Sequence, residues 1–151
     1  MAKVERHILI NAPVEKVFAY LHDPRTAVEW LPGVVEVKDV TLTEKGVGSR
    51  HRWTYRMAGL LLGGESITTE YIHNQRLVTQ SKAGLPTTWI YQFEPHNAGT
   101  ELSLTVEYAF PIPVLGRFLE ALMSRQNERV ADLAMANIKA KMEHTPADPV
   151  R

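Results

Sequence analysis

His51, Trp53, Tyr55 and Met57 alternate with Arg50, Arg52, Thr54 and Arg56 along one short stretch of the chain. Two chemistries fit such a pattern. Arginines threaded between aromatic rings can hold phosphates while the rings stack on bases, as on a single-stranded nucleic-acid surface. As a β-strand, the same residues divide between two faces, because successive side chains point to opposite sides. One face then carries an imidazole among aromatic rings, and the other a row of cations. An imidazole titrates near neutral pH and can give or take a proton. Tyr91 and Tyr108 add phenols on neighbouring segments at the matching parity. His51, Tyr91 and Tyr108 are therefore the candidate acid–base groups. The alternatives are a hydrogen-bonded, inert histidine at a sheet end and tyrosines that only shape a pocket. Glu65 shares parity with Ile67, Thr69 and Tyr71. Turned inward it would be a buried base, but Gly63 and Gly64 beside it point to an exposed rim.

Charge argues against nucleic acid. The 151 residues hold 17 Lys plus Arg and 17 Asp plus Glu, and the two signs alternate along the whole chain. A polyanion-binding domain carries a basic excess or a basic segment. The absence of cysteine excludes disulfides, thiolate nucleophiles and zinc–thiolate sites. The six histidines show no paired metal-ligand spacing, and no glycine-rich phosphate loop follows a strand, so neither metal nor cofactor is expected. The first apolar run is interrupted by charges, unlike a secretory signal, and no run approaches the roughly 20 residues of a membrane span. These features predict a cytoplasmic protein without a transmembrane segment.

The elements that must position these residues follow from periodicity. Val4–Ile10 reads as a strand. Asn11-Ala12-Pro13 then starts a helix, with Asn11 as its cap and Val14, Val17, Phe18 and Leu21 on one stripe. A short second helix follows Asp23-Pro24 and ends at Leu31-Pro32-Gly33. From Val34 to Phe110, alternating runs are separated by turn signals, among them the whole of Gly59–Gly64. This pattern predicts about six strands in an antiparallel meander, seven with the first. After Pro111-Ile112-Pro113 the helical period returns, with Leu115, Phe118, Leu119, Leu122, Gln126, Val130, Leu133 and Ile138 as its stripe. Residues 144–151 hold two prolines and little apolar matter and read as a flexible tail after one domain over 1–143. Leu60–Leu62 at a hairpin tip is open to four readings: a lid, a homodimer contact, a membrane toe, or a tip that simply packs on its own domain.

Strand parity splits the sheet into an aromatic face and a charged face. Trp89, Tyr91 and Phe93 oppose Ile90, Gln92 and Glu94, while Leu104, Val106 and Tyr108 oppose Thr105 and Glu107. On the charged face, Arg50, Arg52 and Arg56 are expected to meet Glu94, Glu101 or Glu107 as cross-strand pairs. The aromatic face needs cover, and the last helix is the one element long enough. A helix is about 10 Å wide, whereas a sheet of this size spans roughly 30 Å at ~4.8 Å per strand. The sheet must therefore curl around the helix, leaving either a filled core or a cavity.

The run Ile8-Leu9-Ile10-Asn11-Ala12-Pro13-Val14-Glu15-Lys16-Val17-Phe18-Ala19-Tyr20-Leu21, followed by Asp23-Pro24 and Trp30-Leu31-Pro32-Gly33-Val34, closely resembles the opening of the START-like (SRPBCC) superfamily. Within it, the resemblance is to the polyketide cyclase/dehydrase and lipid-transport group. Gly46-Val47-Gly48 before the third strand and Phe110-Pro111-Ile112-Pro113 before the last helix fit the same pattern. The resemblance implies an α+β helix-grip fold: an antiparallel sheet curled around the C-terminal helix, with a deep pocket between them. It implies binding of a hydrophobic small molecule, polyketide-, lipid- or quinone-like. A cyclase or dehydratase using pocket tyrosines and histidine is the alternative, and no catalytic motif common to the group can be carried over. The residues expected to line the pocket are Trp30, His51, Trp53, Tyr55, Ile67, Tyr71, Trp89, Tyr91, Phe93, Leu104, Tyr108, Phe118, Leu122 and Gln126.

Overall fold

The computed structural model describes residues 2–57, 59–84, 86–108 and 116–144, without the side chains of 2, 57 and 116–124. The chain runs β1 (Ala2–Ile10), α1 (Val14–His22), a 3-10 turn (Pro24–Thr26), α2 (Ala27–Trp30), β2 (Val34–Thr41), β3 (Arg50–Met57), β4 (Leu60–Ile72), β5 (Arg76–Gly84), β6 (Thr87–His96), β7 (Gly99–Tyr108) and α3 (Gly116–Glu143). All strands join one antiparallel sheet in the order β1-β7-β6-β5-β4-β3-β2. This is the helix-grip architecture. The expectations placed on Phe110, on the side chains of Phe118 and Leu122, and on the tail from residue 145 lie outside the described residues.

β2 to β7 form successive hairpins, so each pairs with its neighbour in sequence. β1 instead crosses to the far edge and pairs with β7, from Ala2 opposite Tyr108 to Ile10 opposite Thr100. α1, the 3-10 turn and α2 fill the connection from one edge to the other. Asn11 does not cap α1: Pro13 occupies the cap, and the Asn11 N–H instead donates to Glu143 on α3, at 2.8 Å. Bulges interrupt β2 against β3, and β4 against β5, on either side of Ser66–Thr68. Bulges bend the strands that carry them and increase twist, which helps the sheet wrap the helix.

α3 is held at its C-terminal half. Ile138 and Met142 enter the core beside Ile10, Phe18 and Leu102. Asn137 Nδ2 donates to the Trp30 carbonyl at 3.1 Å, Lys139 Nζ to the Leu9 carbonyl at 2.8 Å, and Lys16 Nζ to the Met142 carbonyl at 2.9 Å. Arg6 on β1 meets Asp132 at 2.6 Å. The buried stripe is Ala134, Met135, Ile138 and Met142, with Leu133 half exposed on the other side. The expected stripe through Gln126 and Leu133 is thus out of phase here.

Two other expectations change. Gly59–Gly64 is not a loop: β4 begins at Leu60, and Gly59 at φ +81° stands in the turn. Leu60 and Leu61 are 64% and 61% exposed at that tip. The outward arginines of β3 do not reach Glu94, Glu101 or Glu107, because β3 lies between β4 and β2. Arg52 instead sits 3.8 Å from Asp39, on β2.

The helix phase is testable. Ile138→Ala is expected to cost about 2–5 kcal/mol through lost packing and a cavity, and Leu133→Ala within about 0.5 kcal/mol. Chemical denaturation of the two variants checks this; equal costs would place the stripe where the sequence alone suggests it.

Candidate functional site

Between the concave face and the helices lies a cavity of about 190 Å³. Its existence has a local cause. α3 presents Asn127, Val130, Ala131 and Ala134 to the sheet at this level. Two alanines among four residues leave space that larger side chains would fill, while the bulky Met135, Ile138 and Met142 close the core from the next residue to about two turns further on.

The opposite wall is aromatic, and glycines set its rings in place. Trp53 on β3 is paired directly with Gly64 on β4, and a Cβ at Gly64 would lie 2.3 Å from the indole. The indole therefore lies flat across the neighbouring strand. Its Nε1 donates to Ser66 Oγ at 2.9 Å. Tyr55 rests on Gly33 in the same way, where a Cβ would come within 2.7 Å of the ring. On β6, Trp89, Tyr91 and Phe93 stack at spacings of 6.3 and 6.4 Å, as alternate residues of one face must. Trp30 from α2 meets Trp89 edge-on at 6.3 Å and donates its own Nε1 to Thr26 Oγ1 at 3.3 Å.

Burial shifts three titratable groups of this wall toward their uncharged forms. Burial pushes the His51 imidazole down to about 4. Burial also raises the phenols of Tyr55 and Tyr91, which stay protonated. The Tyr91 hydroxyl has no hydrogen-bond partner among the described residues. Asp23, at the margin, is held below the usual carboxylate range by its hydrogen bonds with Arg25, at 2.9 and 3.0 Å. Among the described residues no group of three His, Asp or Glu comes together as metal ligands.

Of the residues singled out from the sequence, Trp30, His51, Trp53, Tyr55, Trp89, Tyr91, Leu104 and Tyr108 surround this one cavity. Ile67, Tyr71, Phe93 and Gln126 do not. Ile67 is the pairing partner of Arg50, while Ser66 pairs with His51; parity therefore gives the inner face to Ser66 and Thr68. The bulge between Thr68 and Glu70 then shifts the parity, and Tyr71 turns inward again beneath α1. There it packs edge-on against Phe18 at 5.3 Å, seated on Gly46. Phe93 is buried against Phe18 at 5.0 Å, in the core rather than the cavity. Gln126 is exposed, and its neighbour Asn127 faces inward. Glu65 is likewise not part of the lining; it pairs with Arg52 on the outer face. Ser66, Thr68, Asn127, Ala131 and Ala134 are not legible as site residues, although Ser66-x-Thr68 continues the alternation of β3 once the pairing is known.

The model of one protein family, described as polyketide cyclase / dehydrase and lipid transport, matches residues 1–143. The chain belongs to this family. No curated protein matches it. Among solved structures, the chain is similar to TTHA0849 from Thermus thermophilus at 22% identity and TM-score 0.81, covering 93% of this chain and 97% of that one. The Zhui aromatase/cyclase from Streptomyces sp. R1128 has 17% identity and TM-score 0.79, with 99% of each chain covered. A START superfamily protein from Mycobacterium smegmatis has 16% identity and TM-score 0.72, covering 93% and 97%. Likeness at these identities establishes the shared fold of the family members.

The depressed His51 of this family member makes its stability depend on pH. Between the ordinary value of 6.5 and about 4, the unfolded chain binds a proton that the folded chain does not. Stability is therefore full above pH 6.5 and falls as pH drops through that window. His51→Gln is expected to remove roughly 1–3 kcal/mol of that fall. Urea melts of both proteins at about pH 7 and about pH 4.5, on either side of most of that window, measure it. Parallel losses would mean that His51 is solvated.

Proposed function

We propose that this chain binds a hydrophobic small molecule in the cavity between the sheet and α3, and carries or presents it without changing it. The observation that supports this most is the wall itself: seated aromatic rings face small residues of α3 across a largely apolar cavity with a few dispersed polar groups. Such a concavity favours an apolar ligand by desolvation and orients it through a few hydrogen bonds. Polyketide-, lipid- and quinone-like molecules have this character. Among the described residues no helix is long and apolar enough to cross a membrane.

A second reading, catalysis, is favoured by one observation. A neutral His51 and a protonated Tyr91, whose hydroxyl has no partner among the described residues, stand on the same cavity. An imidazole base and a phenol donor are the groups that an aldol or dehydration step on a β-keto chain requires. The Zhui structure is that of an aromatase/cyclase, which lends this reading its analogy.

Titration with apolar aromatic compounds distinguishes the readings. Binding is expected to change tryptophan emission, and Trp53→Phe and Trp89→Phe should each remove part of the change. For a carrier, His51→Ala and Tyr91→Phe alter affinity by about 1–2 kcal/mol at most. For an enzyme, either substitution costs roughly 100-fold or more in turnover of a poly-β-keto substrate while binding persists. No emission change with any apolar compound, together with no small molecule in the native mass spectrum of the purified protein, would overturn the carrier reading.

A further inference from the structure

His22 and His51 both line the cavity, and His22 is the one the wall leaves incomplete. It is the last residue of α1, and its Nδ1 is buried with no hydrogen-bond partner among the described residues. Its ring stacks on Phe18 at 6.1 Å and meets Tyr71 edge-on at 5.0 Å. Asp23 follows it in the chain, yet both carboxylate oxygens are engaged elsewhere. Oδ1 accepts from the Arg25 backbone N–H at 3.1 Å and from its Nε at 2.9 Å, and Oδ2 from its Nη2 at 3.0 Å. On the far side of Tyr71, in the turn after β4, His73 stands 3.2 Å from the phenol oxygen, with its ring 5.5 Å from that of Phe18. Across the cavity lie Arg50, His51 and Tyr55 of β3, Tyr91 of β6 and Tyr108 of β7. None of these groups offers an imidazolium an unengaged carboxylate.

An imidazolium donates through both nitrogens. At His22 the buried Nδ1 would have no acceptor for its proton, and a charged His73 would repel it. Burying such a cation is costly, so protonation needs water beside the ring, and the cavity is the space that can admit it. An apolar molecule in the cavity displaces that water. We infer that His22 is an acid-sensitive latch: a proton on its imidazole and an apolar molecule beside it exclude each other, so that mild acid unloads the cavity. This rests on the carrier reading above and adds its regulation. Burial holds the His22 imidazole below its ordinary 6.5, Asp23 pulls the other way, and His73 adds to the effect of burial. The bound molecule favours the neutral form, so affinity is full above pH 6.5 and falls as pH drops below it. His51 takes up its proton lower, at about 4.

Calorimetric titration with naphthalene, which carries no ionisable group, tests the latch. Its Kd is expected to rise about threefold or more between about pH 7.5 and about pH 5, and to stay within about 1.5-fold over the same range in His22→Gln. Nuclear magnetic resonance titration of the His22 ring needs no substitution: excess naphthalene should move its midpoint to lower pH. A midpoint that naphthalene leaves unmoved would overturn the latch. So would an equal rise of Kd in His22→Gln, whether through unfolding or through another group. A wild-type Kd that does not change with pH would overturn the latch and leave the carrier reading standing. Wild-type protein that binds no naphthalene at about pH 7.5 would overturn both.

Discussion

One helix has to cover a sheet of seven strands. A cylinder about 10 Å across cannot hide a face about three times as wide, and the remaining features respond to that mismatch. The sheet bends, with bulges in β2 and β4. The β1–α1–α2 excursion closes the open side. α3 is anchored by its C-terminal half through Ile138, Met142 and three side-chain hydrogen bonds to distant backbone carbonyls. Where Ala131 and Ala134 face the sheet, the cover is thin and space remains. Among the described residues, the cavity is thus the unfilled part of a packing problem, placed where α3 turns two alanines toward the sheet.

The polarity of that space follows from the same geometry. Rings on a concave face crowd unless something beneath them is small. Gly64 under Trp53 and Gly33 under Tyr55 lower those rings against the backbone and keep the space in front of them open. Desolvation then favours the uncharged forms of three groups of the wall: the His51 imidazole deprotonated, the Tyr55 and Tyr91 phenols protonated.

The registers without bulges are the ones legible in the sequence. Parity assigns His51, Trp53 and Tyr55, and also Trp89, Tyr91, Leu104 and Tyr108, to one face, because β6 pairs with β7 without interruption and β3 with β4 likewise. It fails within β4, where alternation cannot show a bulge: Ser66 and Thr68 take the place expected of Ile67, and Tyr71 faces the core under α1. In α3, hydrophobicity draws the stripe toward Leu133, which is half exposed, whereas the inward side is marked by alanines and by Asn127. A helix that borders a cavity is read poorly by looking for bulk, since what matters there is the bulk it lacks. The partners of the β3 arginines require the strand order, which no local pattern contains.

The pairing of β1 with β7 sets an order of events in time. Every other strand neighbours the strand next to it in sequence, so β2 to β7 can zip together by successive hairpins. β1 leaves the ribosome before the rest of the sheet, yet Ala2 has no partner until Tyr108 has been made. Closing so long a loop is entropically costly and comes late in folding. Until then the open edge of β7 and the unpaired Ile8-Leu9-Ile10 are adhesive surfaces of a nascent chain. α3, synthesised after the whole sheet, joins itself to β1 through Arg6, Leu9 and Asn11, so the contacts that hold the first strand come from the last parts of the chain to be made.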